Sequence, residues 1–148
     1  MIKETTTYID YDGTSVTEEM HFNLTQFELT EVAMELPDKL TDHINTDDTP
    51  AAIVEKIVTV LGKKGLLDFV KRMVIKSYGI KKKGVDGKVK FVKSEAITEE
   101  FANSMACHNF IMELVTNNDK SNKFFNEIIP TEMAPQVQSM IAEANTEN

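Results

Sequence analysis

The chain has little of what most enzymes, secreted proteins and membrane proteins are built from. Its 148 residues include one cysteine, Cys107, no tryptophan and three histidines. A single cysteine excludes an internal disulfide and fits a reducing compartment. No stretch approaches the roughly 20 apolar residues that a membrane-spanning helix needs; the longest apolar run, Ile57 to Leu61, is broken by Thr59. The first residues, Met1-Ile2-Lys3-Glu4-Thr5, lack an apolar signal region after the charge, so export is not expected and the chain reads as cytoplasmic. The motifs of common chemistries are also missing. There is no Cys-x-x-Cys pair, no His-Glu-x-x-His and no glycine-rich phosphate loop. His21, His43 and His108 sit in unrelated contexts, and Cys107 and His108 are adjacent on a helix, about 100° apart and badly placed for joint metal ligation. No catalytic residue, metal ligand or cofactor site is therefore assigned, and Cys107 is read as a small packed hydrophobe.

What is present is charge in blocks. The net charge of −8 divides into −10 over residues 1–48, +9 over 49–93 and −7 over 94–148. Such blocks either face each other within one fold or face a charged partner. The basic middle, with Lys81-Lys82-Lys83, raises nucleic-acid binding as a rival reading. Only Tyr78 and Phe91 flank that run as stacking platforms, and the sequence pI of 4.9 is far from that of a typical nucleic-acid-binding domain. A partner role without nucleic acid is favoured.

Local patterning predicts a mainly α (α+β) fold: an N-terminal β-hairpin (1–22) packed on a small bundle of about five helices. The domain covers 1–130, and 131–148 forms a flexible C-terminal tail, amphipathic or disordered. Asp12-Gly13 is a hairpin turn signal. A two-residue loop there pairs Tyr11 with Thr14, Ile9 with Val16, Thr7 with Glu18 and Thr5 with Met20, placing Ile9, Tyr11, Val16 and Met20 on the covered face. Thr25 and Glu28 form a capping box, and Pro37 ends or kinks the helix that follows. Thr49-Pro50 starts a helix that Gly62 stops, and a second helix runs from Leu66 to about Tyr78 to make a helical hairpin. Residues 80–93 read as an exposed loop with a short strand around Val89 and Phe91. Thr98 caps a long helix from Glu99 to Val115 whose stripe is Phe101, Met105, His108, Met112 and Val115. A shorter helix spans Asp119 to Ile129. Met73, Met105 and Met112 are read as core filler among eight methionines.

The order of segments then matters. Tyr8 to Phe22 leads into Phe22-Asn23-Leu24-Thr25 and Glu28-Leu29-Thr30-Glu31. Ile75-Lys76-Ser77-Tyr78-Gly79 and Asp86-Gly87-Lys88 follow, with Phe91-Val92-Lys93-Ser94 behind them. Thr98-Glu99-Glu100-Phe101, Phe110-Ile111-Met112-Glu113-Leu114 and Phe124-Phe125-Asn126-Glu127-Ile128-Ile129-Pro130 complete the series. Collinear over about residues 5–130, this set resembles the tail assembly chaperones of long-tailed (siphovirus-type) bacteriophages of Gram-positive hosts. Residues 37–65 are longer than in that pattern, Glu127 stands where glycine is expected, and the chain after Pro130 lies beyond the likeness.

The resemblance implies a non-enzymatic protein, made in the cytoplasm of the infected host cell and absent from the mature virion. It would bind the tape measure protein and keep it soluble for tail tube assembly. A longer frameshifted product would engage the tail tube protein, and self-association is also allowed. The expected client contacts are Phe124, Phe125, Ile128 and Ile129, continuing into Met133, Val137, Met140 and Ile141. The alternatives are a minor structural or adaptor protein of the tail and a small nucleic-acid-binding phage protein.

Overall fold

The chain begins with the expected hairpin, shifted by one residue. In the computed structural model, which describes residues 1–45 and 47–129, β1 (Ile2–Ile9) pairs antiparallel with β2 (Ser15–Phe22), Tyr8 opposite Val16 and Glu4 opposite Met20. The turn is wider than Asp12-Gly13 alone. The Gly13 amide donates to the Asp10 carbonyl at 3.1 Å, and the Asp10 amide donates to the Thr14 carbonyl at 2.9 Å. The Asp10 carboxylate also accepts from the amides of Asp12 and Thr14. Gly13, at φ 81°, takes the left-handed position that this longer turn needs. A one-residue change of register exchanges the faces of a strand. Met20 is buried as expected, with Phe22 on the same strand, but β1 now turns Thr6 inward, while Ile9 and Tyr11, expected on the covered face, point to solvent.

Thr25 and Glu28 form the capping box of α1 (Gln26–Met34): each accepts a hydrogen bond from the other's backbone amide. The helix stops before Pro37, and the short α2 (Asp38–Thr41) follows. Thr49 caps α3 (Pro50–Ser77), accepting from the Ala52 amide, with Pro50 in its first turn. Gly62 interrupts α3 at φ 75°, but the helix resumes at once. Two helices therefore meet across a kink at Gly62, the break that the sequence places there, with Lys63 and Lys64 just after it.

The largest departure from expectation lies in residues 78–92. Instead of a loop with one short strand, β3 (Tyr78–Lys83) and β4 (Val89–Val92) form a second antiparallel hairpin. It extends the sheet to the order β1-β2-β3-β4. Phe22 opposite Tyr78 and His21 opposite Gly79 join the two hairpins. The ring of Phe91 covers Gly79 so closely that a Cβ there would meet it at 2.5 Å.

The long helix expected from Glu99 to Val115 is two. Ser94 caps α4 (Glu95–Ala102) and Ser104 caps α5 (Met105–Thr116). The Ser104 hydroxyl donates to the Phe101 carbonyl at 2.7 Å and accepts from the Cys107 amide at 3.1 Å, so it closes one helix and opens the next. The break rotates the buried stripe of α5 to Ala106, Cys107, Phe110, Ile111 and Leu114, leaving His108 and Met112 exposed. Of the three methionines read as filler, Met73 is buried, Met105 is half-buried and Met112 is outside. Asn117 caps α6 (Asn118–Ile128).

These elements enclose a core centred on Phe22, whose ring lies 5.3 Å from that of Phe110 and 5.4 Å from that of Phe124. Tyr78 and Phe101, stacked on each other, meet its edge. The fold is mainly α with an N-terminal hairpin against the helices, as expected from the sequence.

Polar pairs fasten the layers. Thr6 on β1 donates to Glu113 on α5 at 2.9 Å, and Asn109 donates to both Glu113 and the Thr7 carbonyl. Lys120 of α6 pairs with the same Glu113. Burial raises the nearby Glu4 carboxyl above its usual range, against the pull of Lys120. The acidic and basic blocks also meet within the fold: Lys93 pairs with Glu28 at 2.7 Å, Lys56 with Asp48 at 2.5 Å, Arg72 with Glu35 at 3.3 Å and Lys76 with Glu31 at 3.5 Å.

Candidate partner-binding surface

The client contacts expected from the sequence divide at residue 129. Phe124, Phe125, Ile128 and Ile129 are all buried. Phe124 packs on Phe22 and Phe110, and Phe125 lies 5.7 Å from Phe69 of α3. The amphipathic face of α6 is therefore occupied by the molecule's own core. Met133, Val137, Met140 and Ile141 lie outside the described residues.

Among the described residues a different apolar surface is open. Where α3 bends at Gly62, Val54 and Val58 from its first half and Leu66 and Leu67 from its second face Met112 and Val115 of α5 across a groove of about 820 Å³. Asn118 and Asn122 of α6 and Glu55, Thr59 and Lys63 of α3 add polar groups to its lining. Val58, Leu67 and Met112 keep 40%, 42% and 55% of their surface exposed. Scattered apolar side chains on a surface need no explanation, but several converging on one concavity suit an amphipathic helix laid in a groove. Completing the burial of each half-covered side chain contributes about 1 kcal/mol, roughly half the value for a fully transferred one. Met112 adds an adaptable thioether to the wall.

The sequence supplied part of this surface. Val54, Val58 and Leu66 are apolar residues within the two helices that the sequence predicts on either side of Gly62. That Met112 faces outward follows from the Ser104 cap, and that α3 bends around the groove follows from Gly62.

The reactive groups lie elsewhere. Burial pushes the Cys107 thiol up to about 11, which keeps it protonated at neutral pH and makes it a packing residue. His21 sits on β2 beside Glu19 at 3.3 Å, His43 follows α2, and the His108 ring lies 2.9 Å from the Ala102 carbonyl. Among the described residues, no three His, Cys, Asp or Glu side chains gather in a group that could hold a metal ion. No helix among them is long and apolar enough to cross a membrane.

The sheet-backed helical fold thus leaves an apolar groove, and no cluster of reactive groups, on its described surface. The sequence model of one family, described as phage tail assembly chaperone, matches residues 1–148, and the chain belongs to that family. The match runs through the segment after Pro130 that the motif likeness had left uncovered. No curated protein and no solved structure matches the chain.

Proposed function

We propose that this protein binds the tape measure protein of its phage and holds that long helical chain soluble until tail tube subunits polymerise around it. The observation that carries this reading is the open groove between α3 and α5 in a chain whose whole length matches the chaperone family. An amphipathic client helix sets its apolar stripe against Val58, Leu67 and Met112, with the client's polar face toward Thr59 and Lys63. Met133, Val137, Met140 and Ile141, apolar residues recurring in the sequence after Pro130, supply further client contacts. The protein works without catalysis, in the host cytoplasm, and leaves before the virion is complete. A longer frameshifted product carries the contact to the tail tube protein.

The test is co-expression with the tape measure protein. Val58→Asp/Leu67→Asp/Met112→Asp, a change of exposed side chains, is expected to abolish co-purification while leaving circular dichroism and the melting temperature in place. Co-purification at the wild-type level rejects the groove as the client site. Val137→Asp/Met140→Asp tests those further contacts in the same assay. Mass spectrometry of purified particles separates the chaperone from a tail adaptor, which would remain in the virion.

A further inference from the structure

The hairpin β3–β4 leaves the sheet almost as soon as it joins it. Beyond Gly79, β3 pairs only with β4, so residues 80–92 form a two-stranded ribbon. Five exposed lysines, Lys81, Lys82, Lys83, Lys88 and Lys90, occupy this ribbon against one acid, Asp86. Lys82 and Lys90 are directly opposite across the strands, the arrangement in which like charges destabilise a sheet most. None of the five makes an ion pair among the described residues. Lysines 56, 76 and 93 and Arg72, from the same basic block, all find acids in the N-terminal block. Val85 and Val89 are exposed on the same ribbon.

The fold thus concentrates positive charge where it opposes itself, and among the described residues no acid pairs with it. We infer that the β3–β4 ribbon is a second docking site, separate from the groove, for an acidic segment of a protein partner. The lysines supply charge complementarity from both faces of the ribbon, and Val85 and Val89 give the contact an apolar component that a purely ionic atmosphere lacks. Nucleic acid fits less well. Phe91, the aromatic residue within the ribbon, is packed over Gly79 instead of standing free for a base, and the chain as a whole carries −8.

The test uses the full chain and three fluorescent probes of equal length: a glutamate- and leucine-containing peptide, its glutamine counterpart, and single-stranded DNA. Anisotropy is expected to show binding of the acidic peptide that weakens as salt rises from about 20 to about 200 mM. The glutamine peptide should not bind. Lys81→Gln/Lys83→Gln/Lys90→Gln should weaken acidic-peptide binding at least about tenfold, a loss of about 1.4 kcal/mol. Lys39→Gln/Lys123→Gln, which removes exposed charge elsewhere, should leave it unchanged. Equal weakening by both variants, or tighter binding of DNA than of peptide, overturns the proposal. It is also overturned if the ribbon variant keeps peptide affinity and merely associates with itself, for the lysines then serve only to keep an edge strand from pairing.

Discussion

The two hairpins close with the same turn and come to opposite ends. In each, five residues separate the strands, an Asp-Gly pair sits in the turn, and the glycine adopts positive φ, 81° at Gly13 and 79° at Gly87. The Gly84 amide donates to Lys88 and the Gly87 amide to Gly84, repeating the bonds made at Asp10 and Gly13. Local chemistry therefore makes both hairpins alike. Their difference is what lies against them. The first presents Thr6, Met20 and Phe22 to helices α5 and α6, whereas the second presents lysines to water on both faces. A hairpin becomes part of a core or an arm according to its tertiary neighbours, and two strands alone are only marginally stable.

If the packed hairpin carries the stability, Phe22→Ala should give the largest loss. Removing a fully buried ring that touches four others costs about 3–5 kcal/mol, readable as a fall in the urea midpoint. Next comes Lys93, just past the end of β4, where the arm is tied back to α1. It donates to the Asn23 carbonyl and to both Glu28 oxygens at 2.7 Å. Lys93→Met leaves Glu28 half-buried without its cation and should cost about 1–2 kcal/mol, discounted for the solvent that still reaches the pair.

The pH dependence of that pair has a definite sign. Burial works against ionisation of Glu28, but hydrogen bonds from Lys93 and Thr25 outweigh it and hold the carboxyl below its usual range; burial also draws Lys93 down. A lowered folded value means that the stabilisation from Glu28 is complete above the ordinary glutamate value of 4.5 and is lost as pH falls through the lowered one. Lys93→Met should flatten that acid limb of the stability curve. The smallest effect belongs to the arm. Lys82→Gln should leave stability unchanged or raise it by about 0.2–1 kcal/mol, since it relieves the opposition to Lys90. A loss as large as that of Lys93→Met would erase the contrast between the hairpins.

Local signals in the sequence identified what is decided locally. The Thr25–Glu28 box, the stop at Pro37, the Thr49-Pro50 start and the break at Gly62 each depend on residues within one turn of themselves, and each is where the sequence places it. The register of β1–β2 was missed by one because the Asp10 side chain bonds two amides and widens the turn, a choice that the Asp12-Gly13 signal does not contain. Strand β3 was missed because three consecutive lysines hide any alternation, and its pairing with β2 joins residues far apart in the chain. The long helix divided because Ser104 is a better cap than a helix-interior residue.

The candidate site shows the deeper limit. An apolar stripe looks the same whether it faces a client or its own core. The Phe124–Ile129 stripe turned inward because Phe22 and Phe69 were waiting for it, and only the assembled fold reveals that, among the described residues, Val58, Leu67 and Met112 keep much of their surface open.

At Gly79 the ring of Phe91 rests on bare backbone, with space for a hydrogen and for nothing larger. The contact sits at the root of the lysine arm, where β3 leaves β2 and turns to pair with β4. A single added methyl would meet that ring at 2.5 Å and force ring or strand to give way, without altering any of the charges beyond it.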